Sequence, residues 1–195
     1  MALELFTRSG AFITNIEKIL TCTKKETLSG VLTLNFETLI TDEIETLVNG
    51  TDYTVLYENE YYDVVSIQKA LSNGLYKIKF SCEHISYRLS NFSRSYFTAI
   101  GTPREILTLL LRDTGFFAGI SDISVDQTVA IKEESTVRSM VLKMADMIDC
   151  DVQFTGFYVN MLSHRGSSTP IELVDKNVVS ISKTEKVGSN VPSYS

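Results

Sequence analysis

Two runs of two-residue alternation limit what this chain can build. Across Leu28 to Thr38, Leu32, Leu34 and Phe36 fall on one side, and Thr33, Asn35 and Glu37 on the other. A strand turns successive side chains to opposite faces, so this pattern predicts a strand with one face in a core. The same alternation returns with Tyr76, Ile78, Phe80 and Cys82 set against Lys77, Lys79, Ser81 and Glu83. Between the two runs, Tyr53 to Tyr57 and Tyr61 to Ile67 are rich in aromatic and β-branched residues. The polar Glu58-Asn59-Glu60 joins them, and Ser72-Asn73-Gly74 suits a turn into the next strand. A three-stranded meander from Tyr53 to Glu83 is the simplest account. Leu3 to Thr7 and Ile19 to Lys24 add strands, and five or six such short elements close most economically as a small barrel or sandwich.

The pattern changes after His84. Thr102-Pro103-Arg104-Glu105 supplies an N-cap threonine, a proline suited to the first helical position and a glutamate at the third. That capping box leads into Ile106, Leu107, Leu109, Leu110 and Leu111, with Gly115 as the expected stop. A second helix is predicted over Ser135 to Cys150, where Val137, Met140, Val141, Met144, Met147 and Ile148 recur at spacings of three and four. The methionine stripe suits core packing better than a partner surface. About twenty residues of polar to mixed character join the two helices. Strands resume at Asp151 to Thr155 and Phe157 to Ser163, with Gly156 as a tight hairpin turn, and again at Val178 to Ser182. Arg165 to Pro170 reads as a turn cluster, and Asp42-Glu43-x-Glu45 as a solvated turn or helix start. The aperiodic end, Val187 to Ser195, is expected of a fragment of a longer chain.

Composition narrows the function classes. With 195 residues, 44% hydrophobic and 22% charged, the chain can bury at least one substantial core. A mean hydropathy of +0.06 and a longest apolar run of Ile106 to Leu111, itself broken by Thr108, predict no membrane insertion. The N-terminal Met-Ala-Leu-Glu-Leu-Phe lacks the basic region of a signal peptide, which predicts synthesis and retention in the cytoplasm or release without a secretion signal. Eighteen basic against 24 acidic residues, net -6, disfavour a phosphate-binding surface. Cys22, Cys82 and Cys150 are odd in number and widely spaced, so packed reduced thiols are expected rather than disulfides or a zinc site.

No grouping of residues makes a catalytic or metal site, and no cofactor is expected. The one local nucleophile and base, Cys82-Glu83-His84, puts thiol and imidazole on the same strand face about 7 Å apart, too far for a direct hydrogen bond. A packed cysteine beside a boundary histidine is the better account, and His164 is expected to face solvent. No D-x-D-x-D-G, G-x-x-x-x-G-K-[ST] or G-x-G-x-x-G occurs, and Gly115-Phe116-Phe117-Ala118-Gly119 suits a helix stop followed by a buried aromatic turn. Asn49-Gly50-Thr51 and Asn91-Phe92-Ser93 match the glycosylation sequon without a secretion signal to give it meaning.

The order of parts carries more than any single residue. Tyr61-Tyr62-Asp63-Val64-Val65-Ser66-Ile67 is followed by Leu75 to Leu89, which contains the H-I-x-Y-x-L phrase His84-Ile85-Ser86-Tyr87-Arg88-Leu89. Then come the T-x-x-E-x-L helix Thr102 to Leu107, Gly115-Phe116-Phe117, Ser121-Asp122-Ile123, the second helix, the hairpin, and Asp175 to Ile181. In this order the chain resembles, over nearly its whole length, the N-terminal region of siphophage and prophage tail-tip proteins. These are the tail-associated lysins and prophage minor tail proteins, similar to the baseplate hub of contractile phages. Two departures stand out. Asp149-Cys150-Asp151-Val152 replaces the family's G-G-E-L, and only Lys176-Asn177 remains of its Y-G-K-N.

The resemblance implies an α+β fold: a β-barrel-like hub domain at 1–84, a two-helix and hairpin insert at 85–175, and an incomplete second hub domain at 176–195. It implies a non-enzymatic tail-tip protein that closes the distal end of the tail tube and anchors tip proteins, any peptidase lying in a further C-terminal part. The implied partners are itself as a homotrimer in the full-length protein, the distal tail protein and other tail-tip proteins. DNA would pass through the channel without tight binding. The implied location is the virion tail tip, after synthesis in the bacterial cytoplasm. Two other classes compete: a cell-wall-degrading tail lysin, which needs a catalytic constellation, and a carbohydrate-binding β-domain, which the 9 tyrosines would suit.

Overall fold

Alternation becomes strand pairing across the first 84 residues, which supply β1 (Leu3–Thr7), β2 (Phe12–Ile16), β3 (Ile19–Glu26), β4 (Leu32–Leu39), β5 (Tyr53–Tyr57), β6 (Glu60–Ser72) and β7 (Leu75–His84). The computed structural model describes residues 3–27, 30–39, 52–72 and 74–164. The strands form one seven-stranded sheet, β2-β1-β5-β6-β7-β4-β3, antiparallel throughout. The predicted meander is its centre, β5-β6-β7. Glu58 and Asn59 form the two-residue turn between β5 and β6, both at positive φ (51° and 63°), the backbone of a tight hairpin.

The predicted inward faces are the buried ones. Leu34, Phe36, Ile78, Phe80 and Cys82 join Leu3, Leu5, Ile16, Val55, Tyr57, Tyr62 and Val64 in one core, with Phe36 and Phe80 stacked at 4.6 Å between ring centroids. Tyr76 departs from the pattern and is 64% exposed, because it sits at the far end of the β6–β7 hairpin, beyond the core. β2 was not anticipated; Phe12, Ile13 and Ile16 do not alternate cleanly, and its place depends on pairing with β1.

The sheet curls into a half-barrel rather than the closed barrel or sandwich expected. Its edge strands, β2 and β3, are not paired with each other among the described residues. Alternation reports which face is buried but not how far a sheet curves. Curvature here comes with irregularities in register at Leu5/Phe6, Ile19/Thr21 and Val64/Ser66, where bulges bend and twist strands.

After His84 come a 3-10 helix (Ile85–Asn91), β8 (Ser93–Arg94), β9 (Phe97–Gly101), α1 (Pro103–Leu110), β10 (Phe117–Ser121), β11 (Gln127–Ile131), β12 (Ser135–Thr136), α2 (Val137–Ile148), β13 (Asp151–Thr155) and β14 (Tyr158–Leu162). The fold is therefore mixed α and β, mostly strand. Small sheets β10-β14-β13, β11-β9 and β12-β8 surround the helices. A second core gathers Leu89, Ile106, Leu107, Leu110, Val129, Val137, Met140, Val141, Met144, Phe154, Val159 and Met161, reaching back to Leu32 of β4. Both cores belong to one compact unit, Met1–Arg165.

The capping box on α1 is complete. Thr102 Oγ1 accepts from the Glu105 N–H, and the Glu105 carboxylate accepts from the Thr102 N–H at 2.9 Å. The helix ends at Leu110, before the glycine expected to stop it, and Asp113 and Gly115 both turn at positive φ (64° and 78°). In α2 the stripe is core, with Ile148 partly buried against it, but Met147 is 51% exposed and the helix starts at Val137, since Ser135 and Thr136 pair with β8 instead. The segment between the helices is not a plain connector. It contains β10 and β11, whose partners β14 and β9 lie elsewhere in sequence, so no local periodicity marks them. Phe116 is buried as expected of the aromatic turn, whereas Phe117 opens β10 and is exposed. The strand expected at Val178 to Ser182, residues 176–195, the Arg165 to Pro170 turn, the Asp42-Glu43-x-Glu45 stretch and the Asn49 sequon lie outside the described residues.

Candidate assembly surface

The histidine and cysteine weighed as chemistry serve the packing. Cys82 and His84 are both buried, His84 at 2% exposure, so the histidine is not the boundary residue expected. Its Nδ1 accepts from the Ser86 N–H at 3.2 Å, which leaves Nε2 to carry the proton and face Glu60 Oε2 at 3.1 Å. Burial pushes the Cys82 thiol far above its ordinary pKa and pushes Cys150 up to about 11, the opposite of an activated nucleophile. His164 is exposed, as expected. Among the described residues all three cysteines are free, and no group of His, Cys, Asp and Glu is arranged to hold a metal. Among those residues no helix is long and apolar enough to cross a membrane.

Buried polar groups instead fasten the half-barrel to the elements after His84. Asp63 of β6, 5% exposed, takes two hydrogen bonds from Arg88 of the 3-10 helix (2.7 and 2.6 Å) and one from Thr54 Oγ1 of β5 at 2.9 Å. Arg8 Nη2 stands 3.5 Å from Asp63 Oδ2, the oxygen that also accepts from Arg88 Nε. Burial alone would raise the pKa of this carboxyl, but the Arg88 hydrogen bonds and charge, with Thr54 and Arg8, hold it below the ordinary value. Glu60, at the start of β6, accepts from the Gly156 N–H in the β13–β14 turn at 2.7 Å. Burial would raise its pKa too, and the bonds from His84 and Gly156 outweigh that and lower it. Arg138 of α2 donates to the Gly30 carbonyl and lays its guanidinium over the Tyr87 ring, 3.9 Å from the centroid. None of these pairings was legible in sequence; H-I-x-Y-x-L stood out only as a phrase, yet it contains His84, Tyr87 and Arg88 of these contacts.

What remains open is strand edge. β5 accompanies β6 only from Glu60 to Asp63, so from Val64 to Ser72 that side of β6 has no strand partner among the described residues. The hairpin carries exposed Leu71, Leu75 and Tyr76 at its end, with Lys69 and Lys79 beside them. A lysine on that edge, Lys69 of β6, discourages indiscriminate pairing, while the apolar end favours a specific cover. Phe12 of β2 and Leu20 of β3 are exposed on the two sheet edges.

On β10, Gly119 lies under the side chain of Asn160, whose Oδ1 accepts from the Ile120 N–H at 2.7 Å. A Cβ at Gly119 would run into that Oδ1 and press on Tyr158 Cβ. Gly119→Ala is therefore expected to displace Asn160 and lower stability by about 1–2 kcal/mol. A lower urea midpoint at unchanged slope would record it, and an unchanged midpoint would contradict the contact.

No family model matches the sequence, and no curated protein matches it. Solved structures do match in shape. The prophage tail protein gp18 from Listeria monocytogenes aligns over 83% of this chain with a TM-score of 0.63 at 13% identity. This is a prophage tail-protein fold. The tail protein from Neisseria meningitidis shares it over 82% of the chain (TM-score 0.57, 12% identity), and the 43 kDa tail protein of prophage MuSo2 from Shewanella oneidensis over 83% (TM-score 0.58, 13% identity). The chain spans about half the length of these tail-protein structures, 50%, 49% and 54% respectively.

Proposed function

We propose that this chain is a structural component of a phage or prophage tail, at the tail tip, where it acts as a hub that closes the distal end of the tube. The observation that carries this reading is a curled half-barrel, its edges unpaired among the described residues, with an apolar-ended arm, in a fold shared with tail proteins. An open sheet edge is a template for pairing, and a ring of copies covers such edges by symmetry. In this reading residues 1–84 are the hub domain, 85–175 a two-helix and hairpin insert, and 176–195 the start of a second hub domain. The full-length protein is a homotrimer that contacts the distal tail protein and other tail-tip proteins. DNA passes without tight binding, consistent with a net charge of -6.

The proposed role is non-enzymatic. Neither the buried Cys82 nor the bonded His84 is free to attack a substrate. The competing lysin reading predicts cell-wall clearing by the purified chain that is lost in Cys82→Ala or His84→Ala. Light scattering with small-angle X-ray scattering on the full-length protein tests the hub. A trimer is expected, and a dimer, or a monomer persisting at high micromolar concentration, would sink it.

A further inference from the structure

The two arginines at Asp63 do more than neutralise one carboxylate. They line a cleft of about 310 Å3 with Phe6, Thr7, Ser9, Gly10, Thr54, Tyr61, Ile85 and Phe157, near the lower end of the roughly 300–1,000 Å3 typical of small-ligand pockets. Arg88 commits Nε and Nη2 to the buried Asp63, leaving Nη1 with no hydrogen bond among the described residues. Arg8 is half exposed and held loosely, 3.5 Å from Asp63 and 3.8 Å from the largely exposed Asp52. Two guanidiniums thus meet one buried carboxylate, and the remaining counter-charge, Asp52, is solvated and weakly engaged. Aromatic rings wall the cleft, with Phe6 and Tyr61 edge to face at 6.4 Å. Guanidinium donors left uncommitted above an apolar wall, Nη1 of Arg88 and the loosely held Arg8, fit a carboxylate carried beside an apolar group.

We infer that this cleft receives an acidic side chain of a partner polypeptide, an Asp or Glu flanked by an apolar residue, with Arg8 as the group that swings onto the incoming carboxylate. The inference does not depend on the hub reading, since a partner segment can dock here whether or not the protein forms a ring.

The test is an amide-resolved NMR titration of the chain with acetyl-Phe-Glu-amide, its Gln counterpart and inorganic phosphate, repeated on Arg8→Gln. Saturable shifts centred on Gly10 and Thr54 are expected with the Glu peptide alone, weakened about tenfold or more in the variant, as for loss of a charged hydrogen bond. Arg88 and Asp63 stay in place in that variant, and the wild-type arms do not depend on it. Equal binding of the Gln peptide would mean that only the apolar walls matter. Equal binding of phosphate would mean a plain anion site, and no saturation would mean no site. Each of those three results overturns the proposal.

Discussion

Met144→Asp is expected to cost about 4 kcal/mol or more and to leave much of the chain unfolded at 37 °C. Met144 is fully buried on α2, among Met140, Val141 and the strands β11 and β13–β14 that build the second core. The substitution forfeits about 1.5–3 kcal/mol of side-chain burial. It also buries a carboxylate without a partner, a penalty of several kcal/mol even after relaxation. A typical domain has only about 5–15 kcal/mol in all. The new carboxyl's folded pKa would rise above the unfolded value of about 3.9, so the native state would bind more protons and the defect would grow as pH rises from there. Urea melts of Met144→Asp and Met144→Leu at two pH values test this. The leucine variant should stay within about 1.5 kcal/mol of the parent. An unchanged midpoint for the aspartate would mean that the stripe faces solvent or a partner.

Arg88→Met should cost about 3 kcal/mol, by stranding Asp63 in the joint between the half-barrel and the elements after His84. Breaking a buried pair from one side typically costs about 3–5 kcal/mol. The lower figure fits here because Arg88 is 27% exposed and Arg8 remains 3.5 Å away. In the parent, Asp63 has a lowered folded pKa, so its contribution is complete above the unfolded value and fades as pH falls through the folded one. In the variant burial prevails and raises that pKa, so the gap between parent and variant should widen from acid pH towards neutrality. Asp63→Leu combined with Arg88→Met should recover most of the loss, because an apolar pair leaves no charge stranded. Equal melting of Arg88→Met and parent at neutral pH would show that the pair does not fasten the joint.

The sequence was most informative where structure is local. The alternation of Leu34 with Phe36, and of Ile78 with Phe80, gave strands and their buried faces, because a period of two is written in consecutive residues. The Thr102-Pro103-Arg104-Glu105 box gave the start of α1, because capping is settled within one helical turn. Gly156 gave the β13–β14 hairpin. The second helix was legible as a stripe, but Ser135 and Thr136 at its start were claimed by β8, and Met147 near its end faces away from the core.

The candidate surface was almost silent in sequence. β10 exists because Phe117 and Ala118 lie beside Tyr158 and Val159, a parallel pairing between distant residues that no window of sequence contains. Nothing in the sequence pairs Asp63 with Arg88; folding buries the one and brings the other onto it. Likewise, neither β6 running on past β5 nor Arg8 reaching the Asp63 cleft leaves a periodic trace. The sequence alone determined the strands of the meander, the capped helix, the buried faces of β4 and β7 and the apolar stripe of α2, since propensity, capping and amphipathic period act over a few neighbouring residues. The curl of the sheet, the strand edges left unpaired among the described residues and the charged joint were decided by tertiary structure alone, since each depends on which distant segments meet.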